Sequence, residues 1–261
     1  MSNLTNLILE HGRKAFGLLA RDFTEIQSFS ASAAAVNFTD KATKRTFSML
    51  AETLGNAGET QVILSGQMSE IKKLDNKPKT LFVVSPIDST SNFVRSIPFF
   101  ATTISAMKLD DQTQEYITKA AVIYFPVTKQ VFYANIDEGC WMQDFSMDSK
   151  ITRLRIKNNI LPSNWLIASD RASLYNAPIV VNNLNLSQMQ FRNFGSPCFA
   201  LSLLLSNKAE LLVFGGLDSA ISQANILLCT EAKGTTKLLQ GKNTYSLLGA
   251  DIVSSVNLKI P

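Results

Sequence analysis

The sequence predicts an α/β protein of the layered α+β kind, in which helices cover the faces of sheets. Three observations predict it. Residues 4–27 carry apolar side chains at helical spacing. Residues 61–157 hold a succession of short β-branched and apolar runs separated by turns. Beyond residue 164 strand-like and helix-like stretches alternate, which favours an α/β lobe.

Each element follows from its own pattern. Leu4, Leu7, Ile8, Ala15, Leu18 and Leu19 recur at three- and four-residue steps and describe one apolar stripe on a first helix. Small and polar residues from Ser28 to Ala35 read as a connection, and a second helix is expected from Thr39 or Asp40 to about Leu54. Gln61–Ser65 and Leu81–Val84 read as short buried strands. The charged, proline-containing 70–79 stretch between them reads as a loop or hairpin tip. Further strands are expected at 100–108, 119–125 and 130–135, and a hairpin running into a strand at 139–157. In the second half, strands are expected at 166–169, 209–214, 235–239 and 252–256, helices at 197–206 and 218–233, and a loop or short helix at 172–176. The reading is of an N-terminal α+β lobe over residues 1–150 and a C-terminal α/β lobe over residues 151–261, with the boundary between 140 and 165. There is no internal repeat.

Composition narrows the function. The chain has 261 residues, 46% hydrophobic and 18% charged, with a formal net charge of +4. That is ample for a core and ordinary for a soluble globular protein. The densest basic group, Lys41, Lys44 and Arg45, reads as a solvated helix face, so composition does not point to nucleic acid. Cys140, Cys198 and Cys229 are odd in number and far apart, which argues against a disulfide framework or a zinc site and for three small buried hydrophobes. The single histidine, His11, lies on the stripe of the first helix and reads as a half-buried packing residue, which leaves Ser-His-Asp chemistry without its base. The Met-Ser-Asn start shows no signal peptide and the apolar runs are too short to span a bilayer, so a cytoplasmic setting is expected.

Two blocks carry chemistry. Residues 85–105 read SPIDSTSNFVRSIPFFATTIS, and residues 217–234 read LDSAISQANILLCTEAKG. The first resembles the signature of the inositol monophosphatase family, Asp-Pro-Ile-Asp-Gly-Thr-x-Asn-Phe. Pro86, Ile87, Asp88, Thr90, Asn92, Phe93, Pro98, Ile104 and Ser105 fall where the family has them. The second resembles the family's Trp-Asp-x-Ala-Ala…Glu-Ala-Gly-Gly helix through Asp218, Thr230, Glu231, Ala232 and Gly234. Weaker echoes are Phe38-Thr39-Asp40, Glu138-Gly139-Cys140-Trp141 and Arg192–Ser196. The resemblance covers about 250 residues by order and spacing, and within the family it is nearest in feel to bacterial SuhB-type (extragenic suppressor) proteins. It implies the alternating helix and sheet layers of the sugar phosphatase fold and a homodimer.

The resemblance also implies a site. Family members hydrolyse phosphomonoesters with Mg²⁺ ions held by acidic side chains, and Mg²⁺ favours hard oxygen ligands. By resemblance Asp88, the carbonyl of Ile87, and Asp218 are the metal ligands that survive. Asp40 and Thr90 would polarise a water, and Ser89 with Thr90 would receive the phosphate. Ser85 stands where the first signature aspartate is expected. The family's Gly-Glu-Glu appears as Gly66-Gln67-Met68, which puts Met68 at a ligand position. Leu217 replaces the tryptophan, and the loop before it lacks the substrate-contacting glutamate. Glu70 could substitute for the missing glutamate after a one- or two-residue slip. Helix capping by Asp40, Asp88 and Asp218 is an open alternative to ligation.

Three functions are expected from this: a pseudoenzyme with weak or absent Mg²⁺, kept for a protein partner in transcription or RNA regulation as SuhB-type relatives are; an active Mg²⁺-dependent phosphatase on inositol or sugar monophosphates; or a sensor of a small phosphorylated metabolite. None involves a membrane.

Overall fold

The computed structural model describes residues 3–29, 32–56, 59–71, 73, 75–145, 150–157, 166–169, 190–215, 219–239 and 245–249. Its first layer is a pair of long helices, α1 (Asn3–Ile26) and α2 (Ala33–Gly55). They lie on a seven-stranded sheet in sequential order: β1 (Thr60–Leu64), β2 (Thr80–Ser85), β3 (Thr102–Leu109), β4 (Tyr116–Phe125), β5 (Gln130–Asn135), β6 (Gly139–Asp144) and β7 (Ile151–Leu154). β1 runs parallel to β2, and every later neighbour pair is antiparallel. Two short helices, α3 (Met68–Ile71) and α4 (Thr90–Val94), follow the ends of β1 and β2.

A second helical layer, α5 (Pro197–Leu205) and α6 (Ser219–Glu231), covers the far face of that sheet. The other sheet has the order β11-β12-β10-β8-β9, from β8 (Leu166–Ser169), β9 (Gln190–Arg192), β10 (Leu211–Gly215), β11 (Thr235–Leu239) and β12 (Tyr245–Gly249). The result is helix, sheet, helix, sheet, in agreement with the layered α/β class read from the sequence.

The two-residue period of β2 shows why this sheet is covered twice. Phe82 and Val84 pack with Ile8, Phe16, Leu50 and Leu54 of the first helical layer. Leu81 and Val83 pack on the opposite side, with Ile63, Ile71 and Ala220. A strand with both faces buried reads as a continuous apolar run. Phe16 stacks on Tyr124 at 4.0 Å and fixes α1 over β4.

Two expectations change. α2 begins at Ala33, after Ser32, so Asp40 lies in its third turn and caps nothing. The run Ala33-Ala34-Ala35 looked like a small-residue connection, yet alanine is the best helix former. The 70–79 stretch is a loop only after a helical turn at Met68–Ile71. β9 and β12 were not anticipated. The strand expected at 252–256 and the short element expected at 172–176 lie outside the described residues.

All three cysteines are free and buried, and His11 is half-buried on α1. Among the described residues no helix is long and apolar enough to cross a membrane.

Candidate active site

The signature turn starts where β2 ends. Ser85 is its last residue, pairs with Thr103 of β3, and is buried at 5% exposure. Thr102 Oγ1 donates to the carbonyl of Pro86 at 2.7 Å, and Asp88 N–H donates to the carbonyl of Ala101 at 2.9 Å. Ile87 turns its side chain under α4, into a cluster with Leu19, Phe23, Phe93 and Phe100. The chain therefore passes from strand to helix by docking on β3's entry segment.

Asp88 is the centre of this turn. Its Oδ1 accepts from Ala101 N–H at 2.7 Å. Its Oδ2 accepts from Ser196 Oγ at 2.5 Å and from Cys198 N–H at 3.2 Å. Ser196 is also the N-cap of α5, accepting from Phe199 N–H, and Pro197 follows it in the first turn. Asp88 thus does cap a helix, but the helix is α5, more than a hundred residues away. Burial pushes its carboxyl up to about 6, and the hydrogen bonds from Ser196, Ala101 and Cys198 only partly oppose that.

Ser89 holds the N-cap position of α4; it is 4% exposed and its Oγ has no hydrogen-bond partner among the described residues. Thr90 opens the helix and is exposed. Asp40 and Thr90 line one cleft of about 390 Å³ between the start of α2 and α4, together with Ser32, Thr39, Ser91 and Arg95. The two residues assigned to water activation are therefore brought together.

Met68 packs against an apolar cluster of Ile63, Ile71, Leu81 and Val83. Glu70 is exposed on α3. Asp218 lies outside the described residues, as do Gly216 and Leu217. Among the described residues, no three of His, Cys, Asp and Glu form a cluster suited to a metal ion.

Three residues with large roles here received none from the sequence. Asn92 Nδ2 donates to the carbonyls of Phe99 at 2.6 Å and Phe194 at 2.7 Å. Gly195 sits at φ +70°, and a Cβ there would come within 2.9 Å of Asn92 Oδ1. Ser196 ties the same loop to Asp88. The Ser-Pro pair at 196–197 was a legible helix start, but nothing in it announces a distant carboxylate. Glu231, in the second block, accepts from the N–H groups of Asp137 at 2.9 Å and Gly139 at 2.8 Å, and so clamps the β5–β6 hairpin.

The sequence profile of the inositol monophosphatase family matches residues 1–258. The chain belongs to the inositol monophosphatase family. Its relatives include proteins named Nus factor SuhB and proteins named inositol-1-monophosphatase. The Nus factor SuhB of Escherichia coli K12 is 24% identical over 251 residues, covering 95% of this chain and 90% of the relative. The inositol-1-monophosphatase of Mesorhizobium japonicum is 24% identical over 269 residues, covering 99% and 96%. Among solved structures, the extragenic suppressor protein SuhB of Bartonella henselae superposes with a TM-score of 0.73 at 20% identity, covering 97% of this chain and 96% of that one. Inositol monophosphatase II of Staphylococcus aureus gives 0.75 at 17% identity, covering 98% and 94%. These structures share the layered fold described above.

Proposed function

We propose that this family member is catalytically weak or inactive as a phosphatase and serves a binding or regulatory role, in a cytoplasmic setting and as a homodimer. The observation that carries the reading is the state of Asp88. Both oxygens of its carboxylate accept hydrogen bonds from the protein's own N–H and O–H groups. A Mg²⁺ site wants the opposite, several oxygens converging on one point with their lone pairs free. Ser85 offers a buried neutral hydroxyl and Met68 a thioether committed to a core cluster, a poor match for a hard cation. The described residues therefore do not fit a set of Mg²⁺ ions. The relatives named Nus factor SuhB support a protein partner in transcription.

A phosphate-release assay with inositol monophosphate across a Mg²⁺ titration tests this. The expected result is turnover near background at all Mg²⁺ concentrations. Ser85→Asp combined with Met68→Glu is expected to raise Mg²⁺ affinity. Robust turnover by the unmodified chain, abolished by Asp88→Asn, overturns the reading.

A second reading is an active Mg²⁺-dependent phosphatase on inositol or sugar monophosphates. It draws on the shared cleft of Asp40 and Thr90 and on the inositol-1-monophosphatase relatives. In that reading Asp88, Ile87 and Asp218 hold the metal, Glu70 completes the set, and Ser89 and Thr90 receive the phosphate. The same assay separates the two.

A further inference from the structure

We propose that the signature turn works in this chain as a metal-independent latch, with Asp88 and Asn92 as two hooks that fasten the start of β3 and the start of α5 to one another. Each hook spans the same two segments. Asp88 binds Ala101 on one side and Ser196 with Cys198 on the other. Asn92 binds Phe99 on one side and Phe194 on the other. The hooks are four residues apart and use opposite chemistry: Asp88 accepts three hydrogen bonds, and Asn92 donates two. Their targets alternate accordingly, carbonyls at 99 and 194, donors at 101, 196 and 198.

An aromatic group closes over the same segments. Phe99 lies against Phe194 with ring centroids 5.6 Å apart and against Phe199 at 4.4 Å, and Phe194 meets Phe199 at 5.2 Å. The φ of +70° at Gly195 lets the loop pass directly against the Asn92 amide. A carboxylate has about four lone-pair positions, and Asp88 has committed three of them to protein donors. A cation at Asp88 would have to compete with the latch. The latch rests on the preceding reading only in taking Asp88 as free of metal.

The test is a double-mutant cycle in EDTA, at a pH above 7, read by the thermal unfolding midpoint. Asp88→Ala and Ser196→Ala are each expected to lower the midpoint, and the double variant to lose much less than their sum, because both remove one shared interaction. Asp88→Gly is expected to recover stability as sodium formate is added, since a free carboxylate can occupy the vacated donors, with a smaller response in the unmodified chain. Additive losses without a formate response overturn the latch. A midpoint that Mg²⁺ raises in the unmodified chain but not in Asp88→Asn overturns it as well. Should Asp88→Ala fail to fold, the cycle of Asp88→Asn with Ser196→Ala, read by amide exchange at Cys198, gives the same decision: coupled protection supports the latch, independent protection overturns it. Phosphate release is measured separately. Turnover together with a coupled cycle in EDTA would remove the proposed function and leave the latch standing.

Discussion

At the scale of single residues, Asp88 shows how one motif side chain can draw its hydrogen-bond partners from distant parts of the chain. The sequence placed it correctly in the turn, and it could not show that its partners come from residues 101, 196 and 198. Those contacts depend on the packing of α5 against the sheet, which no local pattern encodes. The carboxyl's pH behaviour follows from its surroundings. Its ordinary value is 3.8 and burial raises it to about 6 in the folded chain. A raised folded value favours the protonated form, so the proton-linked part of its stability is complete below about pH 4 and is lost as pH rises through about 6, while the three hydrogen bonds it accepts require no proton on the carboxylate. The unfolding midpoint of the unmodified chain is therefore expected to fall across that window relative to Asp88→Asn, which has no charge to gain. Parallel midpoint curves for the two proteins between about pH 4 and 7 would show that the carboxyl is not buried in this way.

At the scale of elements, the most legible parts were those with a strong local period. The strand expected at 130–135 is β5 at Gln130–Asn135, and the helix expected at 197–206 is α5 at Pro197–Leu205. The start of α2 was missed because a row of alanines carries propensity without an amphipathic pattern. β9 and β12 were missed because short strands draw their identity from neighbours rather than from their own residues. The β5–β6 hairpin shows the same dependence. Its turn places Asp137 at φ +64° and Gly139 at φ +91°, and the two N–H groups this exposes are taken up by Glu231 at the end of α6. The glutamate of the second motif block thus holds a turn far from it in sequence. Glu231→Ala leaves those donors without their acceptor, and the expected cost is about 2–3 kcal/mol of folding stability. Chemical denaturation measures it. A loss under about 0.5 kcal/mol would mean that water or a neighbouring group serves the hairpin equally well.

At the scale of the whole molecule, the sequence reading puts a lobe boundary between residues 140 and 165, and β7 and β8 belong to different sheets. The core does not divide there. One apolar cluster joins Ala121, Ile123, Phe132 and Cys140 of the first sheet to Leu201, Leu204, Ile221, Ala224 and Leu228 of the second helical layer, and Leu212 of the second sheet belongs to it too. α6 packs along β2 to β6, and it also meets β11 and β12. A fragment ending near residue 157 would therefore expose a whole face of its sheet, from Ala121 to Leu154, to water. Apolar area of that extent is not tolerated on an isolated domain. The full chain is expected to unfold in one transition, with fluorescence and circular dichroism coinciding. The fragment 1–157 is expected to bind a hydrophobic dye and to lack a sharp transition. If instead the fragment unfolds cooperatively on its own, the two halves are separate folding units, and the latch between Asp88 and α5 joins bodies that are already stable rather than completing one.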